Sequence, residues 1–234
     1  MNVPSISFLV PVVYLQSVGY RGTVSKASTV RTSRPQRVRA ARTQPQERRR
    51  QLLDVAESLL EGSGSDALRM DTLASAAGVT RPVVYSHFDN RDALIIALLE
   101  RHEARLRAED TPTDATDDFS TIIRNATSAY LRTSVTHGPA MRALVTGANL
   151  SPLVEKTRRR IWDSGINKWA AVYGRFFGLD AEDSLALASS HLAGLSAMAG
   201  LCAGGLLSVS RATDLHVVSV EASMSALTNK PERR

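Results

Sequence analysis

The stretch Leu73-Ala-Ser-Ala-Ala-Gly-Val-Thr-Arg-Pro-Val-Val-Tyr-Ser-His-Phe88 decides the fold of the first half of this chain. Its small and apolar residues stop at Gly78, a residue type that commonly ends a helix in a left-handed turn. Thr80 can then cap a new helix, and Pro82 lies in the first turn of that helix, where its missing N–H costs nothing. The pattern predicts two short helices joined by a three-residue turn. Such a helix-turn-helix presents its second helix to the major groove of DNA.

The side chains of these two helices divide into a seam and an exposed surface. Small residues allow the helices to approach closely and two valines fill the seam: Ala74, Ala76, Ala77, Val79 and Val84. The outward positions of the second helix carry Arg81, Pro82, Val83 and Tyr85, with His87 near its end. An arginine can pair with guanine O6 and N7, a valine can touch a thymine methyl group, and a tyrosine can donate to a phosphate. An ordinary helical corner does not explain these exposed side chains, so we favour DNA binding.

Helical periodicity continues on both sides of this stretch. A first helix from about Gln46 ends at the Gly-Ser-Gly-Ser run of residues 62–65, and a fourth, capped by Asn90, covers residues 92–106. Further helices are predicted at about 118–136, 138–147, 152–177, 181–206 and 212–228. No stretch has convincing strand alternation. The predicted fold is all-α, with an N-terminal helix-turn-helix DNA-binding domain followed by a helical-bundle domain for ligand binding and dimerisation.

The segment LASAAGVTRPVVYSHFDNRDAL at residues 73–94 follows a helix that ends LLEGSG at residues 59–64. Together they resemble the DNA-binding domain of the TetR family of bacterial transcriptional repressors. The matching features are the Ala-Ala-Gly-Val turn, the Tyr-x-His-Phe that ends the recognition helix, and the Asn-Arg-Asp-x-Leu that opens the fourth helix. The resemblance covers about residues 46–106, and the second half resembles the family in helix count and length.

The resemblance implies a role for each matching residue. Those facing the groove would be Thr80, Arg81, Pro82 and Val83, and those holding phosphates would be Tyr85, His87 and Arg91. Phe88 would belong to the core, and Thr72 is included among the expected DNA contacts. Arg69 stands where the family usually has a Thr or Ser that caps the second helix and touches a phosphate. An arginine there could reach the phosphate itself.

Charge is unevenly distributed along the chain. Residues 1–46 hold seven basic residues and no acidic ones, whereas the whole chain has a net charge of +6. We interpret residues 1–44 as a disordered basic leader, which beside a DNA-binding motif can add phosphate contacts. The predicted domains are therefore this leader, the DNA-binding domain at 46–106 with its helix-turn-helix at about 69–88, and the second domain at 110–228.

Composition argues against a membrane protein and against a disulfide-bonded one. The segment 184–210 is long enough to span a bilayer, but it is built from Ala, Gly and Ser with scattered Leu, so we expect a buried bundle helix and no membrane. Cys202 is the one cysteine, which excludes an internal disulfide framework and fits a reducing compartment such as the cytoplasm.

The second half carries two kinds of helical pattern. Mostly small residues recur in the 181–206 helix at Ala186, Ser190, Ala193, Ala197, Leu201 and Gly204, and the last helix has an apolar face of Val217, Val220, Met224 and Leu227. Two such helices per subunit predict a four-helix interface in a homodimer. An aromatic stripe and two histidines suggest a pocket for a small-molecule effector, with Tyr130, His137, Trp162, Trp169, Tyr173 and His191 as candidate lining residues. For each of them, plain core packing remains the alternative.

No pattern of catalytic residues accompanies these features. The sequence has no Gly-x-Ser-x-Gly, no phosphate-binding glycine loop and no His-Glu-x-x-His, so we expect no catalytic residues, no metal and no cofactor. The predicted function is a ligand-responsive regulator of transcription that acts as a repressor, with double-stranded DNA and a small-molecule effector as partners. The alternatives are a constitutive or architectural DNA-binding protein without a ligand and, less favoured, an α-helical enzyme.

Overall fold

A computed structural model describes residues 45–109, 118–146 and 150–228. Throughout these ranges the ordered elements are helices, with no strand. The predicted all-α class is therefore confirmed. The interpretation of residues 1–44 as a basic leader lies outside the described residues.

Four helices make up the first part: α1 (Pro45–Ser63), α2 (Met70–Ala76), α3 (Arg81–Tyr85) and α4 (Arg91–Ala108). A single 3-10 turn at Ser65–Ala67 links α1 to α2. Leu52, Ala56 and Leu60 recur on one face of α1 and are fully buried, as the periodicity predicts. Asn90 caps α4, because its side-chain oxygen accepts a hydrogen bond from the backbone N–H of Ala93 at 2.9 Å.

Four longer helices follow: α5 (Phe119–Thr146), α6 (Pro152–Phe177), α7 (Ala181–Ala203) and α8 (Val209–Thr228). The packed pairs among them are α6 with α7, α5 with α8, and α5 with α7. Ser151 and Asp180 cap α6 and α7 by accepting from the N–H groups three residues later. The core around α1–α4 also takes in Ala140 and Met141 from α5 and Val154 from α6, so the two parts share apolar contacts.

Two predicted boundaries are wrong. We expected separate helices at 118–136 and 138–147, but α5 runs through Pro139 without a break. The last helix begins at Val209 rather than 212, because Ser208 caps it by accepting from the N–H of Arg211. A proline and a serine both signal helix boundaries, and here the first does not end a helix while the second begins one.

Helix α7 is the one helix of the described residues that is long and apolar enough to cross a membrane by length and composition. About 28% of the residues in its most apolar stretch are buried. The buried side of the helix packs on α6 and α5, with Ala188, Leu195 and Ala199 in the core. The predicted small-residue positions from Ala186 to Gly204 are exposed in the single chain.

Candidate nucleic-acid interface

Helices α2 and α3 cross at the turn that the sequence predicts. Gly78 has a φ of +65°, a backbone conformation that residues with a Cβ rarely adopt. The N–H of Val79 donates to the carbonyl of Ala74 at 3.0 Å, which closes the turn onto α2. Val84 is fully buried in the seam. Ala76, expected in this seam, is exposed instead, so Ala74 and Ala77 provide the close approach.

Helix α3 carries an exposed polar surface. Thr80, Arg81, Pro82 and Tyr85 are exposed, and Val83 is half-buried. Thr80 is the N-cap residue of α3, yet its side chain makes no capping hydrogen bond. The aromatic ring of Tyr85 lies at the other end of the helix with 47% of its surface exposed. The predicted groove-facing residues therefore lie together on one accessible helix.

Arg81 does not stand alone on this surface. Its Nε lies 2.5 Å from Oδ1 of Asp71, which belongs to the first turn of α2. In the first turn of α2, Asp71 also lies where the helix dipole favours a negative charge. The ion pair joins residues ten apart in sequence, and periodicity within one helix gives no signal for such a contact.

Arg69 occupies the N-cap position of α2, with an extended backbone and no side-chain capping hydrogen bond. Its side chain is exposed, and that of Thr72 is half-buried. Helix α2 therefore begins without the side-chain cap that a Thr or Ser would supply. An exposed arginine at this position has the reach that a phosphate contact requires.

Arg91 contacts the protein itself, which the resemblance does not predict. Its Nε donates to the carbonyl of Leu68 at 2.9 Å, and its Nη2 donates to the carbonyl of Ser65 at 3.0 Å. These two carbonyls belong to the segment between α1 and α2. In the described conformation Arg91 thus holds this connection against the start of α4, and its guanidinium does not project freely.

His87 and Phe88 end the helix-turn-helix. His87 is half-buried, and Phe88 is buried with 2% of its surface exposed, so its expected place in the core is confirmed. The guanidinium carbon of Arg49 lies 5.0 Å from the centre of the Phe88 ring. The contact brings a basic side chain of α1 beside the end of the helix-turn-helix.

Four of the predicted pocket residues lie in one apolar cluster between α5, α6, α7 and α8: Trp162, Trp169, Tyr173 and His191. The Tyr173 hydroxyl lies 3.0 Å from Nδ1 of His191, and Nε2 of His191 lies 3.2 Å from Oγ of Ser223. Ser223 in turn donates to the carbonyl of Ser219 at 2.6 Å. The chain of polar groups thus runs from α6 through α7 to α8.

Burial determines the protonation of this chain. It raises the pKa of Tyr173 and lowers the pKa of His191, so both groups are held neutral. Burial, with repulsion from His191 whenever that residue is protonated, also lowers the pKa of the neighbouring His216 to about 4. Ser223 and His216 were not among the predicted residues, because a serine and a histidine on an amphipathic helix carry no distinctive signal.

The remaining two candidate pocket residues lie elsewhere. Tyr130 packs in an adjacent cluster with Leu131 and Leu195, where burial raises its pKa against the opposing effect of hydrogen bonds with Ser196 and Ser134. His137 is apart from both clusters. Burial lowers its pKa, and the charges that act on it belong to Arg105, Glu57, Arg101 and Glu61 of α1 and α4. The structure therefore does not bring His137 together with the aromatic stripe.

Ion pairs join α1 to α4, and one ion pair links α4 to α6 of the second part. Arg105 of α4 makes a bidentate contact with Glu57 of α1 at 2.7 and 3.0 Å. Glu103 of α4 accepts from Arg107 and, at 3.4 Å, from Arg160 of α6. An open groove of about 600 Å³ follows α6, lined by Lys156, Arg159, Arg160, Asp163, Ser164 and Asn167. None of the predicted pocket residues lines this groove.

Known proteins match both parts of the chain. The sequence model of the tetR family of bacterial regulatory proteins matches residues 52–98. The HTH-type transcriptional regulator EthR of Mycobacterium tuberculosis is 28% identical over 152 residues, which cover 64% of this chain and 68% of the relative. The class C tetracycline repressor protein of Escherichia coli is 27% identical over 128 residues, 53% of this chain and 58% of the relative.

A solved structure extends the likeness to the whole fold. A TetR-like transcriptional regulator from Rhodococcus sp. RHA1 matches with a TM-score of 0.67 at 22% identity, covering 79% of this chain and 99% of the other. The likeness therefore includes the helical bundle as well as the helix-turn-helix.

Proposed function

We propose that the chain is a regulator of the tetR family of bacterial regulatory proteins, and more specifically a homodimeric repressor, bound to an inverted-repeat operator and released by a small molecule. The observation that carries this proposal is the exposed polar surface of α3 on a closed helix-turn-helix. Thr80, Arg81, Pro82 and Val83 face the groove, and Tyr85, His87 and Arg69 contact phosphates, with Thr72 beside them. Nothing in this arrangement calls for catalysis.

A second copy of the chain is the partner that the outer face of α7 and α8 requires. This face exposes large apolar side chains among small ones: Leu185, Leu201 and Leu206 beside α7, and Leu215 and Val218 on α8. Exposed apolar patches of this kind are typical of interaction sites. The stripe from Ala186 to Gly204 lets two such backbones come close. A two-fold axis through this face sets the two α3 helices on two half-sites, which accounts for an inverted repeat.

The effector site belongs to the interior of α5–α8. Its support is a set of polar groups among apolar ones: the chain from Tyr173 through His191 to Ser223, and the Oγ1 of Thr127, which is buried without a hydrogen-bond partner. Buried polar groups of this kind can orient a small ligand once the aromatic side chains around them move. A decisive switch needs the ligand to discriminate between the two states by roughly 10⁴-fold.

Selection of genomic DNA fragments by the full chain tests the proposal. The recovered fragments should share an inverted repeat, and a footprint should protect two half-sites about one helical turn apart. When the selection is repeated with candidate small molecules, the effector should prevent recovery of these fragments. A reporter placed behind a recovered fragment should be less active when the protein is expressed. Fragments without a common sequence, unaffected by every compound, would favour an architectural role instead.

A further inference from the structure

We propose that Asp71 is a specificity-determining residue that acts through Arg81: its carboxylate holds the arginine in the orientation that reads a guanine, and it repels phosphate where no guanine is present. The inference rests on the proposed reading of DNA by Arg81. It adds to that function by assigning a role to an acidic residue on a surface that must approach the negatively charged DNA.

The position of the pair follows from the helix-turn-helix. Arg81 is the first residue of α3, and Asp71 lies in the first turn of α2. The closed turn at Gly78 and the buried seam at Val84 fix the two helices relative to each other. The carboxylate therefore has a fixed place beside α3, and the 2.5 Å separation of Oδ1 from Nε places the two groups in direct contact.

The donors of Arg81 divide between two acceptors. A guanidinium has five N–H donors in a planar fork, and one of them is on Nε. Because Asp71 faces Nε, the four donors of the two terminal nitrogens remain for another partner. Two parallel N–H donors are what O6 and N7 of guanine accept in the major groove. The carboxylate thus restricts the rotation of the side chain without using the edge that reads the base.

Stability does not account for this pair. The side chains of Arg81 and Asp71 are 66% and 54% exposed, and exposed ion pairs of this kind contribute little to the free energy of folding. The ion pair can instead contribute to the free energy of DNA binding, because a freely rotating arginine would lose the freedom of several rotatable bonds when it binds. A side chain that is oriented beforehand loses less.

The charge of Asp71 also acts against the wrong DNA. On a site without a guanine at the right position, Arg81 gains no base contact while the carboxylate still faces the phosphates. Non-specific binding depends on neutralising phosphates, so a negative charge on this surface weakens it. Asp71 is therefore expected to strengthen binding to the specific site and to weaken binding to other DNA. Both effects raise the ratio of specific to non-specific affinity.

The test measures two affinities for each of several full-chain variants at one fixed salt concentration. The probes are a fragment recovered from genomic selection and a fragment of equal length that lacks the shared sequence. Asp71→Asn should bind the recovered fragment about tenfold more weakly, within the range that a base contact provides, and the other fragment a few-fold more tightly. Substituting each base of the half-site should reveal that the variant has lost preference at one base pair.

Two comparisons separate this role from a simple effect of charge. In an Arg81→Ala background, Asp71→Asn should tighten both fragments, because there is no arginine left to orient. Asp89→Asn is the matched control, since Asp89 is another exposed carboxylate next to the helix-turn-helix. It should change both affinities in the same direction and leave the base preference intact. Circular dichroism and thermal unfolding should be alike for all variants.

Each other outcome overturns a distinct claim. If Asp71→Asn tightens both fragments as Asp89→Asn does, Asp71 does not position Arg81. An equal loss on the recovered fragment with and without Arg81 would mean that Asp71 acts through some other group. If the unmodified chain recovers no common sequence, the proposed function itself fails, and the inference with it.

Discussion

Two arginines at the edges of the helix-turn-helix differ in what their side chains contact. Arg69 is exposed at the start of α2 and makes no capping hydrogen bond. Arg91 donates to the carbonyls of Leu68 and Ser65. Hydrogen bonds from a charged donor contribute about 1.5–3 kcal/mol each to stability, and leaving buried acceptors without a donor is costly. The first arginine is therefore available to DNA, whereas the second supports the fold.

Replacing Arg91 by alanine should lower the free energy of unfolding by about 1–3 kcal/mol, because the carbonyl of Leu68 loses its donor and that of Ser65 keeps only the N–H of Leu68. Chemical denaturation followed by circular dichroism measures the change. Arg69→Ala is the matched control and should alter stability by less than about 0.5 kcal/mol. It should instead reduce the slope of log K against log salt by about one, the amount expected for one phosphate contact. The prediction fails if Arg91→Ala is as stable as the unmodified chain and loses only salt-dependent affinity.

Single residues mark the limit of what the sequence can predict. Gly78, Val84 and Phe88 have the expected environments because local patterns determine them: a turn that needs a positive φ, and apolar positions facing a seam. Arg91 and Asp71 are different. Their partners are carbonyls and charges of other elements, and no local pattern indicates which atoms a long, flexible side chain will reach once those elements have packed.

At the scale of the helix, α5 is the element whose structure differs most from the prediction. Gly138 and Pro139 together are typical of a helix boundary, yet the helix continues through them. Pro139 cannot donate to the carbonyl four residues earlier, so one turn lacks a hydrogen bond. Packing on both sides compensates, since Ser134 and Ala140 are buried. Tertiary contacts outweigh the local preference here, and such contacts are not visible in the sequence.

Removing the proline should therefore stabilise α5. Pro139→Ala restores the missing donor and is expected to raise the free energy of unfolding by about 1–3 kcal/mol, given the cost of proline inside a helix. Gly138→Ala, the control beside it, should gain at most about 1 kcal/mol, because its Cβ would lie 3.2 Å from the movable Nη1 of Arg142. Thermal unfolding of both variants measures the difference. A loss of stability in Pro139→Ala would mean that the helix needs its proline for shape.

Helix faces were easier to predict than helix ends. A period of 3.6 residues follows directly from helix geometry, so Val217, Val220 and Met224 lie on one face of α8 as predicted. We expected this face to lie in the subunit interface, but all three residues are buried in the core of the single chain. The start of the same helix depends on whether Ser208 caps it, and serine is equally common in turns. The prediction of the pocket residues was limited in a related way. Helical spacing places Trp162, Trp169 and Tyr173 on one helix face, but it does not indicate that His137 faces a different set of helices.

For the whole molecule, the proposed dimer makes the exposed face of α7 decisive. Ala193 is exposed in the single chain, so an arginine there should not disturb the protomer. In a dimer the same side chain would place an unpaired charge in an apolar interface, at a cost of several kcal/mol. Ala193→Arg should therefore keep its helix content, sediment as a monomer and retain only weak, salt-sensitive DNA binding.

The control for this variant is the same substitution at an exposed alanine of another helix. Ala171 lies on the exposed side of α6. Ala171→Arg should sediment as a dimer and bind the recovered fragment as the unmodified chain does. Dimeric behaviour of Ala193→Arg would place the interface elsewhere.

Acid should destabilise the molecule through its buried histidines. Burial lowers the pKa of His102 and His216 to about 4 each, aided by the charge of Arg105 on the first and by repulsion from protonated His191 on the second. Their unfolded value is 6.5. The unfolded chain thus binds protons first, and the stabilising effect of the neutral form is lost as the pH falls from about 6.5 to 4. For His216, which is 4% exposed, this amounts to about 3 kcal/mol, and for the partly buried His102 to less.

Denaturation at a series of pH values measures this loss. His216→Gln should be less stable than the unmodified chain at pH 7, because a buried side chain is replaced, yet its stability should fall less steeply between pH 6.5 and 4. The double variant with His102→Gln should be flatter still. Curves of equal steepness in all three proteins would assign the acid sensitivity to other groups.

The ion pair between Asp71 and Arg81 also restricts how a sequence like this one can diverge. When one residue orients another, replacing either alone weakens recognition of the old operator before any new operator is gained. Two copies of the gene that arise by duplication would therefore tend to keep both residues, and would continue to bind each other's sites. Separate regulatory circuits would require changes at both positions, so paired substitution at 71 and 81 should mark the branches on which operator preference changed.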